Sequence, residues 1–344
     1  MALNITAVDL RGVLAEPIIA ELVFENHTLA DELVTFQDDI KSSAVFSENG
    51  ASVTMQPFTS GIPASAGSFD SFDTLIVPVI GQFHHEFDPT GLRLSSWKRN
   101  LKPGAYNFLP DDYTKLVIGG VYAKKISYDA ENKFWNHATA TYKTAVAGLT
   151  PSPTGNTSVS ANEQALVAAS PTVTGLLFNG VIQYMIYNAS NAASTFAVGG
   201  RNKVVGTTIT SINIRDEYNK LFIGIPPVTL ENVDGDLYWY APKSHRQLIA
   251  IYNSTPSNYQ SGGFAMDGTN WTFNGIPIKF CPLPENCMIA ASRSYINWCT
   301  DLASDISEFK LDQWDKRTQQ WFVQTVFTIF AHVTNQKFNA LYVG

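Results

Sequence analysis

Charged residues are scarce in this sequence. Asp, Glu, Lys and Arg make up 15% of the 344 residues, well below the roughly 25% of typical soluble proteins. Hydrophobic residues make up an ordinary 45% and aromatic residues 12%. Interface cores lose Lys, Glu and Asp and gain aromatic side chains. The composition therefore favours a surface largely covered by neighbouring molecules, with a β-rich protein that has no partners as the alternative.

Basic residues are outnumbered, and long apolar runs are missing. The formal net charge is −7, which argues against a broad basic face for nucleic acid. No apolar run approaches the ~20 residues of a membrane span, so no membrane partner is expected. Met1 to Leu10 contains Asn4, Thr6 and Asp9 instead of an apolar core, and we therefore expect no signal peptide.

Cysteine is also rare, with three residues in the chain: Cys281, Cys287 and Cys299. Their spacing matches no zinc-binding pattern, and no histidine follows closely enough to complete a ligand set. The sequence predicts free, buried thiols and no metal or cofactor.

Motifs of catalysis are missing as well. The sequence has no G-x-S-x-G, Walker A or H-E-x-x-H motif, and Gly199-Gly200-Arg201 lacks the spacing of a dinucleotide fingerprint. His84 and His85 are predicted to point to opposite faces of a strand, which prevents joint chelation of a metal. We predict that the chain is not an enzyme, and we assign no catalytic, cofactor-binding or metal residue.

An acidic patch follows the last cysteine at Asp301, Asp305 and Glu308. These residues supply oxygen ligands of the kind that cations prefer, but they lack the EF-hand pattern. We predict that they face Lys or Arg of a neighbouring subunit.

A long helix is predicted from Asp111 to Asn136. Asp111 and Asp112 suit a helix N-terminus, and apolar residues recur at spacings of three and four. The stripe comprises Tyr113, Leu116, Val117, Val121, Tyr122, Ile126, Ala130 and Phe134.

Ser42 to Asp73 is rich in Ser, Gly, Pro and Ala, with few apolar residues. A structureless loop of this length is uncommon inside a compact domain. Two interpretations remain open: a disordered linker, or an extended hairpin stabilised by a neighbouring subunit. Glu48-Asn49-Gly50 is a candidate for the hairpin turn.

Other elements follow from periodicity and from turn residues. The predicted helices are a short one from Pro17 within an N-terminal arm, then 28–36, 163–170, a helix from Thr210 or Ser211 to Phe222, and 244–252. The predicted strands are 74–87, 236–242, 275–278 and 288–291, with loops at 149–162 and 267–271. A final half-buried strand is indicated by Trp321, Val323, Thr325, Phe327 and Ile329, which share one parity.

Two segments carry a resemblance to the major capsid proteins of tailed bacteriophages, the fold family of the Hong Kong phage capsid. The first is the end of the long helix, where Asp129, Glu131, Phe134, Trp135 and Asn136 match and His137 stands where Gly is common. The second is the C-terminal region. It matches at Phe273, Asn274, Gly275, Ile276, Pro277, Met288, Ile289, Ala290, Thr300, Asp301, Leu302, Asp305, Leu341, Tyr342 and Val343.

The resemblance implies an α+β fold with a peripheral domain (a long spine helix plus a sheet), an axial domain, an N-terminal arm and an extended hairpin loop. It places the arm at 1–28, the loop region with flanking strands at 29–100, the peripheral domain at 101–165 and 299–344, and the axial domain at 166–298.

The function implied is that of a major capsid protein. Hexamers and pentamers would form an icosahedral shell around double-stranded DNA, contacted without sequence specificity. A portal and scaffolding or decoration proteins would be further partners. The protein would belong to the virion and assemble in the host bacterial cytoplasm. The alternative is a carbohydrate-binding β-rich module, or a tail or adhesin structural protein. In the carbohydrate-binding module, a groove would be lined by Trp239, Trp271 and Trp314.

Overall fold

The computed structural model describes residues 8–10, 27–40, 42–53, 67–88, 122–152, 158–186, 202–231, 236–254, 263–267, 270–301, 308–315 and 320–344. The strands are β1 (Val8–Leu10), β2 (Thr35–Gln37), β3 (Ala44–Val53), β4 (Gly67–Ile76), β5 (Val79–Phe87), β6 (Asn202–Val205), β7 (Leu237–Pro242), β8 (Phe264–Asp267), β9 (Asn270–Phe273), β10 (Ile276–Cys281), β11 (Cys287–Ser292), β12 (Ile296–Cys299), β13 (Glu308–Asp315), β14 (Gln320–Val333) and β15 (Ala340–Val343). The helices are α1 (His27–Ala30), α2 (Ala123–Asn136), α3 (Ala140–Ala147), α4 (Ala161–Ala169), α5 (Val181–Ile186), α6 (Ile214–Gly224), α7 (Pro227–Glu231) and α8 (His245–Ser254). The α+β fold class predicted above is confirmed.

A seven-stranded mixed sheet, in the order β6-β15-β11-β7-β10-β9-β8, forms the middle of the molecule. Successive side chains of a strand point to opposite faces, and in this sheet both faces are covered. On β11, Cys287 and Ile289 belong to one apolar core, whereas Met288 and Ala290 belong to the other. The run is therefore continuously apolar, as expected of a strand buried on both sides.

The first core lies against α2 to α5, and the second lies against α6 and α8. Phe134 and Trp135 of α2 are fully buried in the first core, where Phe134 stacks on Trp298 at 4.3 Å between ring centroids. Tyr218 of α6 and Trp239 of β7 meet edge to face in the second.

The second sheet is built on β14, a strand of 14 residues. β14 pairs antiparallel with β13, β5 and β12, and β12 pairs in parallel with β2. Trp321, Val323, Thr325 and Ile329 are buried, and Phe327 is half-buried. The predicted alternation is therefore confirmed, although Phe322 on the other face is buried as well.

The long helix ends at Asn136 as predicted, where the N–H of His137 still bonds the carbonyl of Lys133. Its predicted beginning at Asp111 and the stripe residues up to Val121 lie outside the described residues, as does the predicted helix from Pro17. Among the described helices, none is long and apolar enough to cross a membrane.

Several shorter helices agree with the sequence. α4 begins after Ser160, whose side chain forms a capping box with Glu163, and α8 matches the predicted helix after β7. α6 is also present, but its N-terminus was predicted wrongly. Asn213 occupies the N-cap position, and its side-chain Oδ1 accepts hydrogen bonds from the N–H and the hydroxyl of Thr210 and not from the helix.

Three local predictions were wrong. The helix predicted over 28–36 stops at Ala30, because Thr35 and Phe36 pair with β12. The strand predicted over 74–87 is two strands, interrupted at Val77 and Pro78, since proline has no N–H for a ladder. The proposed turn at 48–50 lies inside β3, where Glu48, Asn49 and Gly50 pair with residues of β4.

Candidate assembly interface

The hairpin formed by β3 and β4 projects two ten-residue strands that pair only with each other among the described strands. At about 3.4 Å per residue, each strand extends ~34 Å. An isolated two-stranded hairpin is marginally stable in water at best. The extended hairpin predicted for this segment is present, whereas its stabilisation by a neighbouring subunit stays a prediction. Because the hairpin pairs with no other described strand, it is the element that most needs further contacts.

The base of the hairpin has two chemically different faces. Its inner face carries Ala44, Phe46, Thr74 and Ile76, which alternate along the paired strands. Ile76 is fully buried with Ile40 and Cys299 of the body, and Phe46 is half-buried with them. The inner face is thus the one by which the subunit holds its own hairpin.

The outer face of the hairpin base exposes apolar side chains. Val45 and Leu75 are directly opposite each other in the ladder, and 60% and 63% of their surfaces are exposed. Beyond the end of β4, Val77 and Ile80 are also exposed. Exposed apolar side chains that lie side by side, as Val45 and Leu75 do, mark sites of interaction. We call these four residues the apolar strip.

A buried histidine lies beneath the inner face. The ring of His332 on β14 lies 5.2 Å from the ring of Phe46 and meets the ring of Tyr184 edge to face at 5.7 Å. Neither of its ring nitrogens has a hydrogen-bond partner among the described residues, and burial lowers its pKa to about 4. The imidazole is therefore neutral at pH 7.

The two other buried histidines are hydrogen-bonded through both nitrogens. His137 contacts the Phe178 carbonyl through Nδ1 (2.7 Å) and accepts from the Val173 N–H at Nε2 (3.1 Å). His245 contacts the Glu285 carbonyl through Nε2 (2.9 Å) and the Tyr218 hydroxyl through Nδ1 (3.3 Å). Burial lowers the pKa of both, that of His245 to about 4.

The segment that leads into the hairpin is anchored on α2 by a buried polar cluster. The carboxylate of Glu131 accepts hydrogen bonds from Thr28, and Trp135 donates its Nε1–H to the Thr28 hydroxyl at 2.9 Å. A second anchor follows, because the Tyr240 hydroxyl donates to the Leu33 carbonyl at 2.6 Å. Residues 28 to 33 are thereby attached to both the helix and the seven-stranded sheet.

The C-terminal strand is held by another buried carboxylate. Glu217 lies next to Lys220 (2.9 Å), the Tyr342 hydroxyl (2.7 Å) and the Thr207 hydroxyl (2.8 Å). Although desolvation raises the pKa of Glu217, these three hydrogen bonds together lower it. Sequence reasoning missed both carboxylate clusters. The signal in the sequence that could have indicated them is a Glu on the apolar side of a helix.

A second exposed apolar area lies at the ends of α6. Ile212 and Ile223 are 87% and 81% exposed, and Val228 of α7 is 49% exposed. Ile212 precedes α6 and Ile223 lies in its last turn, so these exposed side chains flank the helix at its two ends.

The cysteines and the histidine pair considered in the sequence analysis do not form a reactive centre in the described part of the chain. Burial raises the pKa of all three cysteine thiols, that of Cys299 to about 12, so none is a ready nucleophile. His84 contacts Glu86 at 3.2 Å, whereas His85 packs near Tyr122. No group of three potential metal ligands occurs among the described residues.

The structure places the acidic patch and the tryptophans of the sequence analysis in different environments. Asp301 is half-buried two residues after the end of β12, while Asp305 and the side chain of Glu308 lie outside the described part of the chain. Trp239 is fully buried and donates to the Phe273 carbonyl, and Trp271 is half-buried. The side chain of Trp314 is not among those described. Trp239 therefore cannot line a carbohydrate groove.

The whole architecture matches solved structures of capsids. The structure "Capsid of native GTA particle" matches with a TM-score of 0.55 at 8% identity, covering 100% of this chain and 95% of that chain. "Mycobacterium phage Ogopogo" matches at 0.52 and 10% identity, covering 90% of each chain. The "Satellite phage P4 procapsid" matches at 0.51 and 11% identity, covering 98% and 93%.

The fold that these structures share with this chain is the Hong Kong phage-type capsid fold. The full-length coverage confirms the fold expected from the sequence resemblance. No known protein-family profile matches the sequence, and no curated protein matches it. The likeness is therefore one of backbone architecture, preserved at about one identical residue in ten.

Proposed function

We propose that this chain is the major capsid protein of a tailed bacteriophage. Hexamers and pentamers of the chain assemble into an icosahedral shell that encloses the double-stranded DNA genome. The observation that carries the proposal is the match of nearly the whole chain, at TM-scores of 0.51 to 0.55, to chains in capsid structures.

The hairpin supports this role physically. It has an inner face that its own subunit covers and an apolar strip that its own subunit leaves exposed. In a shell, a neighbouring subunit covers the strip, and each subunit repeats the contact. Many modest contacts made at once stabilise a closed assembly far more than any one of them does.

The domain organisation proposed for the subunit follows the sequence resemblance. Residues 1–28 form the N-terminal arm, 29–100 the extended loop region, 101–165 with 299–344 the peripheral domain, and 166–298 the axial domain. The axial domain supplies contacts around the capsomer centre. The exposed isoleucines at the ends of α6 are available for such contacts.

The further partners proposed are those that a shell requires. A portal closes one vertex, scaffolding or decoration proteins attach to the shell, and the packaged DNA is contacted without sequence specificity. The protein assembles in the host bacterial cytoplasm and ends in the virion, with no membrane partner. Its role is structural, and we assign no reaction, cofactor or metal to it.

The assembly proposal is tested by purifying the full-length chain and examining it by sedimentation velocity and negative-stain electron microscopy. We expect ring-shaped capsomers or closed shells of uniform diameter. A chain that stays monomeric at high concentration and over a wide range of salt would contradict the proposal. A carbohydrate-binding module would behave in that way, but the burial of Trp239 disfavours it.

A further inference from the structure

A groove between α1, the start of α8 and β10 concentrates positive charge on this acidic chain. Its cavity volume is about 610 Å³, within the roughly 300–1,000 Å³ of ligand sites. Three cationic side chains, Lys243, Arg246 and Lys279, line it, and Asp31 is the acidic residue among its described lining residues. We call it the basic groove.

The three cations are not equivalent. Lys243 lies 4.0 Å from the buried Glu131 carboxylate and 5.4 Å from the Tyr128 ring centroid, so part of its charge offsets a charge inside the protein. Lys279 lies over the Tyr238 ring at 5.3 Å. Among the described residues, no hydrogen-bond or ion-pair partner contacts the side-chain cation of Lys279 or of Arg246. These two charges are therefore available to an external anion.

Aromatic surface lies beside the charge. Trp271 and Phe280 line the same groove and are each half-buried, so part of each ring is accessible. Phe280 follows Lys279 on β10, so the two side chains point to opposite faces of the strand, and both reach the groove at its edge. Cations that follow a phosphate backbone, together with aromatic rings on which bases stack, are the two components of sites for single-stranded or locally opened nucleic acid.

We infer that the basic groove binds the phosphate backbone of a nucleic acid, with Arg246 and Lys279 as the phosphate contacts and Trp271 as a stacking surface. The inference rests on the proposed function, because a shell around a genome places nucleic acid next to every subunit. Stacking on Trp271 requires a locally opened stretch of that duplex, and a single-stranded oligonucleotide represents such a stretch in the test. The net charge of −7 disfavours polyanions on the chain as a whole, so a local group of cations is needed to hold one. Two cations per subunit bind weakly, which suits a genome that must later leave the shell.

The test uses the purified full-length chain before assembly and a fluorescein-labelled twelve-nucleotide oligo-dT, with anisotropy measured between 50 and 200 mM NaCl. The test variant carries Arg246→Gln and Lys279→Gln. The matched control carries Arg215→Gln and Lys125→Gln, which remove one Arg and one Lys outside the groove. Lys243 is left unchanged because it faces Glu131.

We expect wild type and the control to bind alike, and the groove variant to bind more weakly. The slope of log affinity against log salt should become shallower by ~1.4 for two lost contacts with a single strand. Arg246→Lys should retain binding, and Trp271→Leu should weaken it on the order of tenfold. Circular dichroism checks that each variant is folded.

Equal affinity and equal salt slope for the groove variant and the control would overturn the inference. A twelve-residue poly-Glu peptide that displaces the labelled oligonucleotide better than unlabelled oligo-dT would also overturn it, in favour of an acidic protein segment. Electron microscopy separates this result from the assembly proposal. If the chain forms shells but does not bind the oligonucleotide, only the binding inference is contradicted. If the chain binds the oligonucleotide but never assembles, the assembly proposal is contradicted.

Discussion

The Oε1 atom of Glu131 accepts two hydrogen bonds from Thr28, one from its backbone N at 2.9 Å and one from its Oγ1 at 2.6 Å. The two residues are separated by 103 positions in the chain. Both are almost completely buried, and a buried carboxylate is costly unless hydrogen bonds stabilise it. This pair therefore attaches the segment before the hairpin to the middle of α2.

Thr28→Val tests this attachment. Valine keeps the shape of threonine but removes the hydroxyl, which leaves the Trp135 Nε1–H without its acceptor and Glu131 with one bond fewer. We expect a loss of about 1–3 kcal/mol in the free energy of unfolding, measured by urea denaturation of the unassembled subunit. Thr144→Val is the control, because its hydroxyl bonds the Ala140 carbonyl on an exposed helix face. If both substitutions lower the free energy of unfolding equally, the buried Thr28 hydroxyl contributes no more to stability than an exposed one.

Val45→Asp with Leu75→Asp tests the apolar strip. Both side chains are exposed in the single subunit, so we expect the midpoint of thermal unfolding of the subunit to fall only slightly, by the repulsion of two like charges that face each other across the ladder. In a shell, the same positions would bury unpaired charge, and shells should fail to close. Electron microscopy and sedimentation read out assembly. Thr141→Asp with Ala165→Asp adds two charges to exposed helix positions elsewhere and should still assemble. If the strip variant forms normal shells, the apolar strip is not part of the interface between subunits.

The buried histidines predict that acid destabilises the subunit. Burial lowers the pKa of His245 and His332 to about 4, below the usual 6.5. Between these values the unfolded chain binds a proton that the folded chain does not bind. The stability is therefore complete above pH 6.5 and falls by roughly 1.4 kcal/mol per pH unit for each histidine as the pH approaches 4.

Two substitutions distinguish these histidines. His332→Phe removes a ring whose nitrogens lack partners, so we expect no loss at pH 7 and a smaller drop between pH 7 and 5, by roughly 2 kcal/mol. His245→Phe should also reduce the drop, but it should cost stability at pH 7 because the Tyr218 hydroxyl and the Glu285 carbonyl lose their partner. Urea denaturation at both pH values measures this. An unchanged pH dependence in His332→Phe would contradict the assignment.

Gly180→Ala tests the close approach between the segment before α5 and the end of α2. A Cβ at this position would lie 2.8 Å from the backbone N of His137 and from the carbonyl carbon of Trp135. Backbone cannot rotate away as a side chain can, so we expect a loss of about 1–3 kcal/mol. Gly148→Ala is the control, since its Cβ would meet its nearest neighbours at 3.6 Å. Thermal unfolding should separate the two variants clearly.

Periodicity in the sequence predicted elements whose pattern is complete within one segment. The alternation on β14, the helix that ends at Asn136 and the strands β10 and β11 could all be recognised, because burial of one face leaves a repeat of 2 or 3.6 residues. Predictions failed where a distant partner decides the backbone. Thr35 and Phe36 form a strand because β12 pairs with them, and residues 48–50 lie within a ladder because β4 extends opposite them.

The sequence by itself determined the extended segment before β5 and the buried C-terminal strands, since each depends on local composition and spacing, and it indicated the fold class through the resemblance to a known family. Only the tertiary structure decided which side chains meet. It buried Trp239 and left Leu75 exposed, paired Glu131 with Thr28, and brought Arg246 and Lys279 into one groove. The physical reason is that hydrogen bonds and charge interactions depend on distances in space, and only the folded topology determines those distances for residues far apart in the chain.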